Sequence, residues 1–305
     1  MPLIATGVGG YNNSAAKESI ELAVSLNFNS IDTARDYGNF RGVAAALQMV
    51  SKPRSQLFIT TKVPGCGVPT QGLQPPCESN TFAQAVDDIS ELGLTHVDLM
   101  LIHFPPLLNC GVLGHCDYVQ QQWRALEHLY SEKKARAIGV SNYCETCLRC
   151  IGRNATMMPM VNQVEYHLGM GADPAGLHSY CASHGIVLEA YSPLAHGKAL
   201  GGSAVAAVAA AHKKSAAQAA LAYVVQRGMP VVTRSSSALH LKADLDLWSW
   251  NLTTVEYAGL DAVIDPACGT EAPGGCCHAH YGGGWRVTGR GPKSMPRPQS
   301  PGAMI

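Results

Sequence analysis

Ser30-Ile-Asp-Thr-Ala-Arg-Asp-Tyr-Gly38 is the stretch whose reading decides the fold. An apolar strand end (Phe28, Ile31) delivers Asp32, and five residues later Tyr37, into a loop closed by Gly38. Polar groups where a strand gives way to a loop are how barrel enzymes arrange their chemistry. Three later strand-like segments end the same way: Leu57-Phe-Ile-Thr-Thr-Lys62, Asp98-Leu-Met-Leu-Ile-His103 and Ala137-Ile-Gly-Val-Ser-Asn142. Polar side chains therefore converge from several strands.

Outward from that stretch, short apolar runs alternate with segments of helical period from Leu3 to Arg234. Strands are expected at Leu3 to Gly7, Ser30 to Asp32, Leu57 to Thr61, Val97 to His103, Ala135 to Val140, Val161 to Val164, Val187 to Ala190 and Pro230 to Thr233. Helices are expected between them at Ala15 to Leu26, Gly42 to Val50, Thr81 to Leu92, Val119 to Glu132, Cys144 to Ile151, Pro174 to His184 and Ser215 to Arg227, with an additional Ala-rich one at Ala204 to Ala211. Repeated strand-helix units imply a parallel sheet with right-handed crossovers. Eight units, with no Gly-x-Gly-x-x-Gly after the first strand, favour an α/β fold closed as a (β/α)8 TIM barrel over an open dinucleotide-binding sheet.

Local signals refine the helices. Phe82, Ala85, Val86, Ile89 and Leu92 form one apolar stripe, which leaves Asp87, Asp88 and Glu91 facing water. Ser215-Ala-Ala-Gln218 reads as a capping box. The connections Pro64 to Asn80 and Pro105 to Asp117 are long enough to shape a pocket mouth. In residues 266–305, 15 of 40 are Gly or Pro, so the barrel is expected over 1–265 with a flap-like or disordered tail after it.

Composition narrows the function classes. Lys plus Arg equals Asp plus Glu at 22 each, so no global field favours nucleic acid or an anionic membrane. There is no apolar run long enough to span a bilayer and no basic, apolar leader at the start, which reads as a soluble, cytoplasmic protein. Eleven Cys, an odd number scattered over a long chain, read as mostly free thiols. Cys66, Cys77, Cys110 and Cys116 are taken as unpaired loop thiols, and Cys144, Cys147 and Cys150 as an apolar helix edge. Cys276-Cys-His-Ala-His280 lacks a second cluster to complete a zinc site, so no metal is expected.

Asp32, Tyr37, Lys62 and His103 suit one chemistry. A phenol ionises near pH ~10, too weakly acidic to protonate a developing alkoxide well at neutral pH. An ammonium beside it favours the phenolate, and a carboxylate holds that ammonium in place. Lys62 and Asp32 fit those roles, and His103 could orient a carbonyl oxygen. The four together suit reduction of a carbonyl.

The motifs Ile31-Asp-Thr-Ala-Arg-Asp-Tyr-Gly-Asn39, Thr61-Lys-Val63, Leu101-Ile-His-Phe-Pro105, Gly139-Val-Ser-Asn142, Asn162-Gln-Val-Glu-Tyr-His167 and Tyr191-Ser-Pro-Leu194 occur in the order seen in the aldo-keto reductases, a family this chain resembles from about Gly7 to Ile264. The resemblance implies NADPH, with NADH possible, and reduction of aldehydes or ketones to alcohols with Tyr37 as general acid. It implies that Lys62 and Asp32 tune Tyr37 and that His103 orients the carbonyl. Ser141, Asn142 and Gln163 would hold the nicotinamide carboxamide, Tyr191 would stack on its ring, and Ser192 and Leu194 would line the pyrophosphate path. For the adenosine 2′-phosphate the family's Pro-Lys-Ser reads Thr233-Arg-Ser235 here, with His240 at a later Arg position and Ala243-Asp244 replacing Glu-Asn. Arg234, Ser235 and Ser237 can grip a phosphate, whereas a histidine such as His240 is largely neutral at pH 7. The chain starts almost at the first strand, without the family's β-hairpin, and reads Gly9-Gly10-Tyr11 for the usual Gly-Thr-Trp. The partner expected is a small-molecule carbonyl compound, with no nucleic acid and no membrane, and the protein is expected to be a monomer. A double-bond reductase on the same barrel would carry Glu in place of His103. The alternative function is a non-catalytic barrel that binds a nicotinamide cofactor.

Overall fold

The computed structural model describes residues 1–67, 72–106, 110 and 115–264. Eight parallel strands close a barrel in chain order: β1 (Ile4–Gly7), β2 (Ser30–Asp32), β3 (Phe58–Val63), β4 (Val97–Ile102), β5 (Ala135–Ser141), β6 (Val161–Glu165), β7 (Val187–Tyr191) and β8 (Val231–Thr233), with β8 pairing back onto β1. The helices are α1 (Asn13–Ser25), α2 (Phe40–Met49), α3 (Cys77–Glu91), α4 (His115–Ser131), α5 (Glu145–Gly152), α6 (Leu177–Ser183), α7 (Ser203–His212), α8 (Ala216–Val225), α9 (Ala238–Leu245) and α10 (Thr254–Asp261). The expected barrel is found, and each expected strand lies within two residues of an observed one. The expected tail and Cys276-Cys-His-Ala-His280 lie outside the described residues.

Strand periodicity separates two cores. On β4, Met100 and Ile102 join the large cluster beneath the helices, while Leu99 and Leu101 turn inward and meet Val161 in a smaller cluster inside the barrel. Alternate residues of a strand face opposite sides, so the parity carries through each strand. Phe58 and Ala137 pack on the inner cluster, which sets Thr60 and Lys62 on β3, and Gly139 and Ser141 on β5, on the inward side. Gly139 is required there: a Cβ would lie 2.4 Å from the Val161 carbonyl oxygen and 2.8 Å from Leu101 Cδ2. The register pairs Ser141 with Gln163, and Gln163 with Glu189. The inward-facing residues Asp32, Lys62, Ser141, Gln163 and Glu189 thus form a polar layer above an apolar plug.

Two expectations are corrected here. Asp88 does not face water. Helix α3 begins at Cys77, four residues before Thr81, and Asp88 is buried against Arg35, with Arg35 Nε donating to Asp88 Oδ1 at 2.6 Å and Arg35 Nη1 to Glu91 Oε2 at 2.6 Å. Burial pushes the Asp88 carboxyl up to about 6, with Arg35 opposing.

The cysteines are not mostly free either. Cys66 bridges Cys77, Cys110 bridges Cys147, and Cys116 bridges Cys150. The spacing of three on α5 places Cys147 and Cys150 on one face, opposite cysteines of the preceding connection and of α4. Stable bridges belong to oxidising surroundings, unlike the mostly free thiols that the cysteine count suggested. Among the described residues no helix is long and apolar enough to cross a membrane. The capping box of Ser215 and Gln218 is present at the start of α8.

Candidate active site

Asp32 is the last residue of β2 and faces inward, whereas Tyr37 arrives on a single 3-10 turn, Arg35–Tyr37, ended by Gly38 at φ 66°. That turn is pinned on two sides. Arg35 ties it to α3, and buried Asn39 donates to the carbonyls of Val8 and Tyr11 at 2.9 and 3.0 Å, joining it to the connection after β1. Gly9 of that connection lies flat against Tyr37: a Cβ there would sit 3.2 Å from Tyr37 Cζ.

Lys62 is fully buried and has all three ammonium N–H bonds engaged. They go to Asp32 Oδ1 at 2.6 Å, to the Thr33 carbonyl at 3.1 Å and to Tyr37 Oη at 3.2 Å. Tyr37 Oη therefore accepts from Lys62, which leaves its own O–H to donate elsewhere. Burial raises the Tyr37 phenol above its ordinary value, and Lys62 opposes the rise. Burial also works against the Lys62 ammonium, but Asp32 and Tyr37 together outweigh it and the net direction is up. At neutral pH the pair is thus a protonated phenol next to a charged ammonium.

His103 follows β4, and its backbone N–H extends the ladder to Val63 at 2.8 Å. Its ring stands edge-on to Tyr37 with centroids 5.6 Å apart, and its Nδ1 lies 2.7 Å from Asp36 Oδ2. A carboxylate only accepts, so Nδ1 carries the proton in this contact. Burial lowers the His103 pKa, and the Asp36 hydrogen bond opposes that. Neutral His103 then has Nε2 as an acceptor, and only its imidazolium form donates to a carbonyl oxygen. Asp36 was not singled out in the sequence, although it stands next to Tyr37 in the deciding stretch.

The second layer is continuous with the first. Gln163 Nε2 donates at 2.8 Å to both Asp32 Oδ2 and Glu189 Oε2. Glu189, buried on β7, is held up to about 7 by burial first, then by Asp32. The sequence reasoning missed it, though Val187, Glu189 and Tyr191 alternate in the strand pattern and an inward acid among apolar residues was a readable signal.

Asn142, at φ 63°, donates through Nδ2 to the His103 carbonyl at 2.9 Å and to Ser141 Oγ at 3.2 Å, while Tyr191 Oη donates to its Oδ1 at 2.9 Å. Ser192 also has positive φ, 50°, as do Ala195 and His196 just beyond Leu194. Left-handed backbone at non-glycine residues costs of order 1 kcal/mol each and tends to gather at functional sites.

The residues expected to meet the phosphate form a separate group at the start of α9, with Arg234 exposed and Ser235 and Ser237 half-buried. Arg234 donates to the Gly9 carbonyl and lies over the Tyr11 ring at 5.2 Å. Gly10, φ 79°, permits this: a Cβ would meet Arg234 Nη1 at 2.7 Å. Ser235 Oγ accepts from the Ser237 N–H at 3.0 Å, and Ser237 Oγ accepts from the His240 N–H at 3.4 Å as the cap of α9. His240 is exposed.

For a nicotinamide dinucleotide the donor set is chemically suitable. Ser141, Asn142 and Gln163 offer amide and hydroxyl partners beside an aromatic Tyr191, and Arg234 stands at the N-terminal end of a helix, where anions are favoured. Because both N–H bonds of Gln163 point at carboxylates, it would meet a carboxamide through its Oε1.

The aldo/keto reductase family model matches residues 4–265. The chain is 34% identical over 264 residues to a glyoxal reductase of Bacillus subtilis, covering 86% of this chain and 89% of that protein. An aldo-keto reductase from a Medee basin deep-sea metagenome library superposes with a TM-score of 0.76 at 30% identity, covering 87% of this chain and 92% of the other. A Gox0644 variant crystallised in complex with NADPH superposes at 0.74 with 25% identity, covering 89% and 93%. With a buried carboxylate-ammonium-phenol chain at the strand ends of a closed barrel and a family match along nearly all of it, this protein belongs to the aldo/keto reductases, oxidoreductases that act on carbonyl groups.

Proposed function

We propose that the chain reduces small aldehydes and ketones to alcohols with NADPH, that Tyr37 supplies the proton, and that the barrel of residues 1–265 does this as a monomer. The observation that carries the reading is the saturated ammonium of Lys62. Because Lys62 donates into Tyr37 Oη and Asp32 holds it from below, negative charge developing on the phenol oxygen is met in place, with no reorganisation. NADPH, when bound, supplies the hydride. Tyr37 gives its proton to the substrate oxygen, and His103 in its imidazolium form, supported by Asp36, orients that oxygen. Ser141, Asn142, Gln163 and Tyr191 would hold the nicotinamide, and Ser192 and Leu194 would flank the pyrophosphate. Arg234, with Ser235, Ser237 and His240 near it, would meet the 2′-phosphate. The NADPH-bound neighbour and the exposed guanidinium of Arg234 support NADPH over NADH. The name of the Bacillus relative supports small dicarbonyls as substrates beside activated aromatic aldehydes.

The test is loss of NADPH absorbance with glyoxal and with an activated aromatic aldehyde, run beside NADH and beside Tyr37→Phe. Loss of the proton donor is expected to lower turnover by a factor of 10²–10⁴ or more while cofactor binding persists. Turnover retained in Tyr37→Phe would remove that residue as the acid.

A further inference from the structure

Cys144-Glu-Thr-Cys147 is a Cys-x-x-Cys sequence at a helix start: Cys144 is the N-cap of α5 and Cys147 its third residue. Cys144 is unbridged and half-buried, and its Sγ lies 3.6 Å from Cys147 Sγ, in van der Waals contact. Cys147 is at the same time one half of the bridge to Cys110. A thiol thus touches one sulfur of an existing disulfide, and Cys144 makes no capping hydrogen bond that would hold it in another role.

We propose that Cys144 is the nucleophile of an internal thiol–disulfide exchange site that moves the bridge on Cys147 from Cys110 to Cys144. The Cys144 thiolate, its proton released to solvent, attacks Cys147 Sγ. The Cys144–Cys147 bond forms as the Cys110–Cys147 bond breaks, and Cys110 leaves as a thiolate that takes up a proton. One disulfide and one thiol exist before and after, so no outside oxidant or reductant is needed. Attack at Cys147 yields a bridge of the Cys-x-x-Cys type, which this N-cap position already presents to its partner.

The consequence lies near the active site. Cys110 belongs to the connection between β4 and α4, and its bridge joins that connection to Cys147 on α5, five residues beyond Asn142. Exchange cuts this link, while Cys116–Cys150 still joins α4 to α5. The state of one thiol then decides whether the residues following His103 and those following Asn142 are covalently tied. This chemistry extends beyond the reductase reading, and its readout is linkage rather than turnover.

The experiment is disulfide mapping of the full chain purified without reductant. Samples are held at about pH 8.5, where an ordinary thiol is half ionised, quenched in acid, labelled with N-ethylmaleimide in denaturant at mildly acidic pH, and digested with pepsin. The expected result is a fraction of molecules with labelled Cys110 and a Cys144–Cys147 bridge, growing with time at high pH and absent from samples kept acidic. In Cys144→Ser, which keeps an N-cap oxygen, Cys110 labelling is expected to fall by about tenfold or more. Label on Cys144 but never on Cys110, with the Cys110–Cys147 bridge intact at all times, would overturn the proposal. So would Cys110 labelling that persists in Cys144→Ser, because the bridge would then be opening without this nucleophile.

Discussion

Asp36 gives His103 a role that the imidazole alone does not have. With the Asp36 carboxylate accepting from Nδ1 at 2.7 Å, protonation places the second N–H on Nε2. Asp36 favours that charged form against burial, so replacing it by Asn should lower the His103 pKa further. If the donating form is the active one, the limb of kcat/KM that falls with rising pH should move to lower pH in Asp36→Asn. The variant should lose activity at pH 8 more than at pH 6 while cofactor binding stays unchanged. A pH profile superimposable on that of the wild type would show that His103 works as neutral imidazole. At this scale the sequence was legible where residue type alone declares chemistry: Tyr37, Lys62, Asp32 and His103 meet as expected. It was silent on Asp36, because an acid in a polar loop reads as solvated until the fold shows what it faces, whereas Glu189 was marked only by its alternation with Val187 and Tyr191 on β7.

At the scale of elements, the bridge between Cys66 and Cys77 joins the end of β3 to the first turn of α3. Both residues are fully buried, and they stand 11 positions apart in the chain. Closing a loop of that size is worth about 3 kcal/mol in the chain-entropy model. The double variant Cys66→Ala, Cys77→Ala should therefore unfold several degrees lower than the wild type in a non-reducing thermal melt. An unchanged melting temperature would mean that the bridge contributes nothing to the fold in solution. Strand and helix positions were readable because hydrophobic period reports them directly. The pairing of cysteines was not, because it depends on which loops the barrel sets side by side. Cys147 and Cys150 were rightly placed on one face of α5, but what that face meets is fixed by the adjacency of α4 and α5. Asp88 failed for the same reason: its position on the helix was right, and its partner, Arg35, comes from the turn that carries Tyr37.

For the whole molecule, the buried acids set how stability follows pH. Glu189 is held up to about 7, and Asp88 and Asp244 up to about 6, in each case by burial first. An acid whose pKa is raised on folding binds its proton more tightly in the native state, so it lowers stability as pH climbs from the unfolded value through the folded one. For these three the window runs from about pH 4 to pH 7. Glu256, lowered to about 2 first by the backbone N–H of Thr253, acts in the opposite sense, and its contribution disappears as pH falls below about 4.5. His103, lowered by burial, also costs stability below about pH 6.5, but it is one group against three acids. The melting temperature should therefore be higher near pH 5 than near pH 7.5. Glu189→Gln tests the largest contributor, because a Gln oxygen still accepts from Gln163 Nε2 and keeps the layer beneath the active site connected. In that variant the pH 5 to pH 7.5 difference should shrink, chiefly by a gain at pH 7.5. If the variant melts in parallel with the wild type across that range, Glu189 keeps the same charge in both states and is not the buried proton carrier its surroundings imply.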